Sequence, residues 1–556
     1  MDNKPDKSAQ DIVESVGVPA PEGATNLIDT DYQIGQDNYQ MSPLGVSIDI
    51  HGAVFAVSSL VILAFVVLTL ALPEQSTGAF EAMKNWINSH MTWLFLLAGN
   101  IFVLLCLFLI VSPLGRIRIG GAKATPDFSR LSWFSMLFAA GMGIGLMFYG
   151  VSEPLTHYGT ALGGTSMGEG GVRSDWAPLG AAADDPAAAA RLAMASTIFH
   201  WGLHPWAIYA IVALSLSIFA YNKGLPLTVR SIFYPLLGER IWGWPGHLID
   251  ILAVFATLFG LATSLGVGAQ QAAAGLEHLF GIPGGNTTLV LLITGITAVA
   301  IVSIVAGVDK GVRRLSELNM VLAFLLLMFV VSVGPTLLIA TAFFKNIAGY
   351  LMELPFLANP FGRDDANFSQ GWTTFYWAWW ISWSPFVGMF IARVSRGRSV
   401  REFLISVLLI PSAVSVFWMT AFGTTAIKQL QEGFEGAASS DLPLQLFMVL
   451  GELPLAEITS FIGIVLVIVF FITSSDSGSL VIDTITAGGK IDAPKPQRVF
   501  WGVIEGAIAI ALLMGGGLAA LQAVAVSAGL PFTLLLLVGC YAIVKGLMSE
   551  PRPARG

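Results

Sequence analysis

The stretch Phe375–Trp383, FYWAWWISW, carries six aromatic side chains in nine residues and no charged one. At 100° per residue, Tyr376, Trp379, Trp380 and Trp383 fall on one helical face, spaced i, i+3, i+4 and i+7. A second run, FHWGLHPWAIY at 199–209, fans Trp201, Trp206 and Tyr209 across about 140° of a helix. Two helices of this kind can present indole and phenol faces to one cavity. Such a box suits a quaternary ammonium group, which cannot donate hydrogen bonds and is best met by ring quadrupoles, each worth up to about 2 kcal/mol when desolvated. A carboxylate in contact would also bind the cation, but it would attract Na+, H+ and primary amines as well. A zwitterionic ligand brings its own carboxylate, which backbone amides of a glycine-rich helix break can meet. Trp is common as an interfacial belt, but Trp379, Trp380 and Trp383 lie a third to halfway down their apolar run, deeper than a belt requires.

The glycine-rich break is Gly141-Met142-Gly143-Ile144-Gly145. Glycines here let a ligand approach the backbone and relax the helix, so that freed carbonyls can coordinate a cation. Close helix packing by small residues is the ordinary alternative. Ser382–Gly388, SWSPFVG, is expected to form a matching break five apolar runs later. Helices an odd number of runs apart, as the third and eighth are, run antiparallel, as an inverted repeat requires. FFITSSDSGS, Phe470–Ser479, offers the hydroxyls of Thr473 and Ser474; with carbonyls of the glycine break these could form a hard-oxygen site for Na+. Plain interhelical hydrogen bonds are the alternative for both, and Asp476 reads as a helix-end polar residue. His200 and His204, at i and i+4, could be half of a metal site in a membrane metalloenzyme, but no third ligand follows at a plausible spacing.

The elements that must position these groups are membrane helices. With 55% hydrophobic and 12% charged residues in 556, and a mean hydropathy of +0.74, the chain is too apolar for a soluble domain. Twelve runs long enough to span a bilayer lie near 51–73, 91–113, 132–155, 192–220, 247–278, 287–307, 318–344, 371–393, 402–427, 453–477, 499–515 and 522–547. Residues 1–50 read as an acidic, disordered cytoplasmic tail without a cleavable signal. Placing the N-terminus inside puts 22 of the 28 Lys and Arg in inner loops and tails, including Arg116, Arg118, Lys310, Arg313, Arg314, Arg393, Arg396, Arg398 and Arg401. Both termini are then cytoplasmic, and the loop near 156–190, with Glu169, Asp175, Asp184 and Asp185, lies outside. The net charge of -8 sits largely in tails and outer loops and does not point to nucleic acid. Cys106 and Cys540 fall inside runs and indicate no disulfide framework. The expected division is peripheral helices at 51–131, a first repeat at 132–345, an outer connection at 346–370, a second repeat at 371–547 and a short tail at 548–556.

GMGIG, FHWGLHPWAIY and FYWAWWISWSPFVGMFIARVSRGRS together resemble the betaine/carnitine/choline transporter (BCCT) family, over about residues 45–547. The resemblance implies an all-α membrane protein of 12 transmembrane helices, with a five-plus-five inverted repeat (LeuT-like) behind two peripheral N-terminal helices. It further implies a homotrimer among lipids of the bacterial inner membrane. Trp201, Trp206, Tyr209 and Trp380 match the family's box for the trimethylammonium group, with Met142, Gly143 and Gly145 completing the substrate site. Trp379 and Trp383 match aromatics lining the inner path, and Phe375 and Phe390 match gating aromatics. The carbonyls of Ala139 and Met142, with Phe470, Thr473 and Ser474, match one Na+ site.

The chain also departs from the family pattern. A second Na+ site would use hydroxyls one turn apart together with the aromatic at Phe386; Thr257 fits, but its partner position is Leu261, and Thr263 lies about 200° round the helix. Two-sodium stoichiometry is therefore in question. Osmosensing relatives carry a long basic helix where this chain ends in PRPARG, so direct osmotic activation by that route is not expected. Proton-driven relatives place Asp where Gly145 stands, and here no acidic residue appears near the break before Glu153 at the run's outer end; carnitine exchangers replace the sodium oxygens by Met or Arg. The expectation is a secondary active importer, not an enzyme and without a cofactor, using Na+ as coupling ion and glycine betaine as first-choice substrate. Alternatives are proton-coupled uptake of choline, dimethylsulfoniopropionate or ectoine, ion-independent carnitine-type exchange, and a channel.

Overall fold

The computed structural model describes residues 19–163, 180, 182–306, 309–363, 365 and 368–551. Glu169 and Asp175 of the expected outer loop lie outside these residues, as do the side chains of Lys310 and Arg313. A β-hairpin pairs β1 (Asn38–Met41) with β2 (Ile48–His51), Asn38 opposite His51. The longer helices follow as α1 Gly52–Ala71, α2 Pro73–Val111, α3 Arg130–Gly141, α4 Ile144–Leu162, α5 Pro186–Trp201, α6 Leu203–Ser217 and α7 Trp244–Phe280. Then come α8 Asn286–Ala306, α9 Asp309–Val333, α10 Thr336–Leu357, α11 Thr374–Val394, α12 Val400–Gln431, α13 Ala456–Thr486 and α14 Lys495–Met548.

Local chemistry sets their ends. Asp185 accepts from Ala187 N and Ala188 N ahead of Pro186 at the first position of α5, and Ser399 accepts from Glu402 N at the start of α12. The left-handed Gly281, φ +67°, closes α7. Among the described residues ten helical stretches are long and apolar enough to cross a bilayer, with α5 and α6 counted as one stretch to Asn222, and the bent pair α3 and α4 makes an eleventh. The chain is a multi-pass membrane protein. Helices α1, α8 and α9 expose Leu60, Val302 and Phe324, an apolar face suited to lipid, whereas α5, α6 and α11 are buried nearly all round.

The expected runs 499–515 and 522–547 both lie in α14. Its 54 residues would reach ~81 Å as one rod, far beyond a bilayer core of about 30 Å. The rod is broken at Gly516 and Gly517, φ +159° and +60°, a backbone that L side chains rarely adopt.

Four expectations are corrected. Residues 38–51 of the tail expected to be disordered form the hairpin, and the segment before it is tied down: Glu22 N donates to Gly120 O at 2.8 Å, and the Glu22 and Asp127 carboxylates pair with Arg396. Asp49 of β2 pairs with Lys490, 2.5 Å, so the hairpin also holds the loop after α13. The run expected at 318–344 ends at Val333, where Pro335 follows Gly334; a separate helix, α10, starts at Thr336. The expected break at Ser382–Gly388 is absent, and α11 runs through Pro385. Proline has no N–H for the Ile381 carbonyl, but the Ser384 hydroxyl donates to that same oxygen at 2.7 Å. The run at 192–220, expected to be continuous, is instead interrupted at Gly202, φ -95°, ψ -127°, between Trp201 and Leu203.

Candidate substrate and ion site

The glycine break is present. Between α3 and α4 the backbone at Met142 (φ -90°, ψ 133°) and Gly143 (φ -174°, ψ -178°) is extended, and the two helices meet at 59°. No side chain caps α4, and its first helical bond runs from Met147 N to Gly143 O at 3.4 Å. The amides of Ile144, Gly145 and Leu146 are therefore the donors that a helix start leaves unsatisfied.

This break opens on a cavity of about 390 Å³. The same cavity is lined by Trp201, Trp206, Tyr209 and Trp380, and by Met142, Gly143 and Gly145. Ring centroids lie 5.0 Å apart for Trp201 and Trp380, 6.1 Å for Trp380 and Tyr209, and 5.3 Å for Tyr209 and Trp206, with interplanar angles of 77°, 77° and 69°. Perpendicular neighbours make walls around a space rather than a filled stack. The break at Gly202 helps to build them. It ends α5 and frees the last carbonyls, and His200 O takes the Trp380 indole N–H at 3.0 Å.

Along α11 the cavity begins at Trp380: Trp380, Trp383, Phe386, Val387, Phe390 and Arg393 line it, with Phe390 37% exposed. The first turns, before Trp380, close the opposite side. Phe375, Tyr376 and Trp379 are buried in a layer with Tyr149, and Phe375 stacks on Trp379 at 5.5 Å. Trp379 therefore does not line the path expected of it. Its ring is stacked on Trp380 at 4.8 Å, and its N–H is taken by Ser264 Oγ at 3.1 Å.

Ala139, Met142, Phe470, Thr473 and Ser474 all line the cavity below the box. Ala139 O accepts from Met142 N at 3.3 Å, and the Thr473 hydroxyl donates to Val469 O at 3.0 Å, which leaves its lone pairs free to meet a cation. Of the second-site residues, Phe386 lines the cavity, but Thr257 does not. Thr257 is buried and donates to Ala253 O at 2.7 Å. Leu261 packs on Gly478 so closely that a Cβ there would lie 2.3 Å from its Cδ1. Asp476 pairs with Arg498 at 3.1 Å.

Sequence reasoning placed Glu153 at the outer end of its run and gave it no part. The structure places it behind the box, fully buried, accepting from Trp201 Nε1 at 2.8 Å and the Tyr376 hydroxyl at 2.5 Å. His200 Nδ1 lies 2.6 Å and His157 Nε2 3.3 Å from its other oxygen. The available signal was an ionisable residue within an apolar run, which is expensive in a membrane and is retained for a reason. Asn319, buried with neither side-chain polar atom bonded, lines the cavity from α9 and was also missed. The suspected pair of metal-ligating histidines does not converge, because His204 Nε2 lies 3.0 Å from Asn100 Oδ1 while His200 faces Glu153.

The chain matches the family model described as BCCT, betaine/carnitine/choline family transporter, over residues 53–552. It is 63% identical over 537 residues to a glycine betaine/proline/choline transporter of Vibrio parahaemolyticus, covering 96% of this chain and 97% of that one. It is 54% identical over 538 residues to a glycine betaine transporter of the same organism, covering 94% and 97%. A third Vibrio parahaemolyticus protein, a glycine betaine/proline/choline/ectoine transporter, is 51% identical over 530 residues, covering 94% and 91%. The chain belongs to the betaine/carnitine/choline family of transporters, and it is a transporter rather than an enzyme.

Proposed function

We propose that this protein imports a small quaternary-ammonium zwitterion, glycine betaine first, by Na+ symport across the bacterial inner membrane. The observation that carries the substrate is the open cage of Trp201, Trp206, Tyr209 and Trp380 beside the unsatisfied amides of α4. Rings meet the trimethylammonium group, and the positive helix start meets the carboxylate. The names of the relatives support betaine and widen the field to choline, proline and ectoine.

Na+ coupling is supported by the oxygens of Ala139, Met142, Phe470, Thr473 and Ser474 facing the same cavity. One Na+ moving down 100 mV contributes about 2.3 kcal/mol, enough to concentrate a neutral zwitterion roughly fifty-fold. An aromatic layer over the box and a cavity running from it toward the other end suit one state of an alternating-access carrier, with Phe375 and Phe390 as gates. The cavity end is the end tied by residues 19–51, and the excess of Lys and Arg in the inner loops makes it cytoplasmic, with both termini inside. Resemblance to the family supports the five-plus-five inverted repeat and the trimer. The test is uptake of radiolabelled glycine betaine into proteoliposomes under separately imposed Na+ and H+ gradients. Accumulation with Na+ alone is expected. Accumulation with H+ alone, or exchange without either ion, would replace Na+ symport by the proton or exchange reading. Loss of Na+ dependence in Thr473→Val is the local check.

A further inference from the structure

We propose that Glu153 supplies the negative charge of the cation site from behind the aromatic box, positioning and polarising the rings without touching the ligand. The proposal deepens the quaternary-ammonium reading and rests on it. Glu153 is fully buried and is absent from the cavity lining, so no ligand in the cavity contacts it. One carboxylate oxygen accepts from Trp201 Nε1 and the Tyr376 hydroxyl, and an indole N–H can only donate. The other oxygen faces His200 Nδ1 and His157 Nε2. His200 is fixed in turn, with Nε2 3.0 Å from Thr373 Oγ1, and its backbone oxygen holds Trp380. A single carboxylate on α4 thus orients two box walls and ties α5 to α11.

The electronic consequence follows from the direction of the bonds. A hydrogen bond to an anionic acceptor is short and strong, and it polarises the donor. Donation from the indole N–H pushes electron density onto the Trp201 ring, whose face is the surface offered to an onium ion. The carboxylate itself is screened by rings, so a hydrated Na+ or a primary amine in the cavity makes no direct contact with it. The box gains the charge of a carboxylate and keeps the selectivity of an aromatic wall.

A metal ion is the competing assignment, since Glu153, His157 and His200 bring one ligand atom each within 4.8 Å of one another. Both Glu153 oxygens are already engaged, one by the donors of Trp201 and Tyr376 and the other by His200 and His157, so the carboxylate is committed to its protein neighbours.

The experiment compares inhibition of labelled betaine uptake by unlabelled betaine and by its carbon isostere, 3,3-dimethylbutanoate, in wild type, Glu153→Gln, Glu153→Asp and Tyr376→Phe. The isostere has the same shape and carboxylate but no head-group charge. Wild type should prefer betaine; if it does not, the onium reading itself fails. Given that preference, Glu153→Gln should shrink it by roughly tenfold or more, because the charge is gone while the size is kept. Tyr376→Phe, which keeps the carboxylate, should hold the preference within about threefold, and Glu153→Asp should recover most of it. If both inhibitors weaken equally in Glu153→Gln, the residue is only structural and the proposal falls. It falls equally if purified wild type carries a stoichiometric transition metal that Glu153→Gln lacks. Should Glu153→Gln not fold, Tyr376→Phe and Glu153→Asp still decide, since a preference collapsing in both would overturn the assignment of the charge to Glu153.

Discussion

Gly145→Ala should damage substrate binding more than Gly143→Ala, two residues away, whose added methyl displaces no side chain. A Cβ on Gly145 would lie 2.7 Å from Trp201 Cη2 and 3.1 Å from Trp379 Cη2. Carbon contacts are comfortable from about 3.5 Å, so the Trp201 edge must retreat by roughly 0.8 Å. It has little freedom to do so, being tethered at Nε1 by Glu153 and set against Trp380 at 5.0 Å. Trp379 is held as firmly, by Ser264 and by its stack on Trp380. Overpacking of this kind costs about 1–3 kcal/mol, a rise in the half-saturation constant of roughly 5- to 150-fold if it falls on the bound state. At Gly143 an added Cβ meets nothing within 4 Å, and the extended φ of -174° suits any residue. The assay is betaine uptake in proteoliposomes, paired with quenching of tryptophan fluorescence by betaine in detergent. A Gly145→Ala variant within twofold of wild type would refute the steric argument, as would equal impairment of both variants. Gly145→Asp meets the same ring edges with a larger, charged side chain and should be at least as severe, so a loss of Na+-driven uptake there reports geometry before coupling.

Removing one wall tests the box directly: Trp380→Ala should weaken betaine binding by about 2 kcal/mol, and an unchanged half-saturation constant and maximal rate would count against the cage. Ser384→Ala leaves the Ile381 carbonyl of α11 without a donor and should lower stability by about 1–3 kcal/mol, read as a fall in the midpoint of thermal aggregation in detergent; an unmoved midpoint would show that the carbonyl finds another partner. Gly478→Ala should destabilise by a similar amount through its clash with Leu261, and Leu261→Ala in the same chain should recover it, whereas simple additivity of the two losses would disprove the contact. Uptake should depend on Na+ with a Hill coefficient near one, because Thr257 does not line the cavity and Leu261 has no oxygen to give; a coefficient near two would mean that the second site is built from other groups.

The membrane class, the placement of most helices, the ring types and the broken α3–α4 pair were all legible in the sequence, since each rests on a local signal: apolar length, aromatic spacing, three glycines in five residues. What failed was reasoning that needed a partner from elsewhere in the fold. Pro385 with flanking serines reads as a break by rule, yet one serine hydroxyl repairs the missing bond. Gly202 reads as one glycine in a helix, yet the interruption falls there, and the carbonyl it frees is used by an indole about 180 residues on. The tail reads as disordered because it is polar and acidic; its residues 19–50 are held where Arg396 and Lys490 meet Glu22 and Asp49 from loops remote in sequence. Glu153 was misjudged for the same reason, since its four partners come from α4, α5 and α11.

Each helix interruption exposes carbonyls at the end of one helix and amides at the start of the next. At Gly202 the carbonyl of His200 is consumed internally by Trp380. At the glycine break the carbonyl side carries Ala139, while the amides of α4 are left without a side-chain cap beside the cavity that Gly143, Gly145 and Leu146 line. Beside the rings, then, the box presents donors, with its strongest acceptor, Glu153, withdrawn behind them. A hard cation finds little there, and its oxygens are gathered lower, around Ala139 and Thr473. A ligand with a soft, non-donating cation at one end and a carboxylate at the other satisfies both walls at once. A lone onium ion satisfies only the rings, so choline should bind with the same aromatic contacts as betaine and lose what the amides of α4 add.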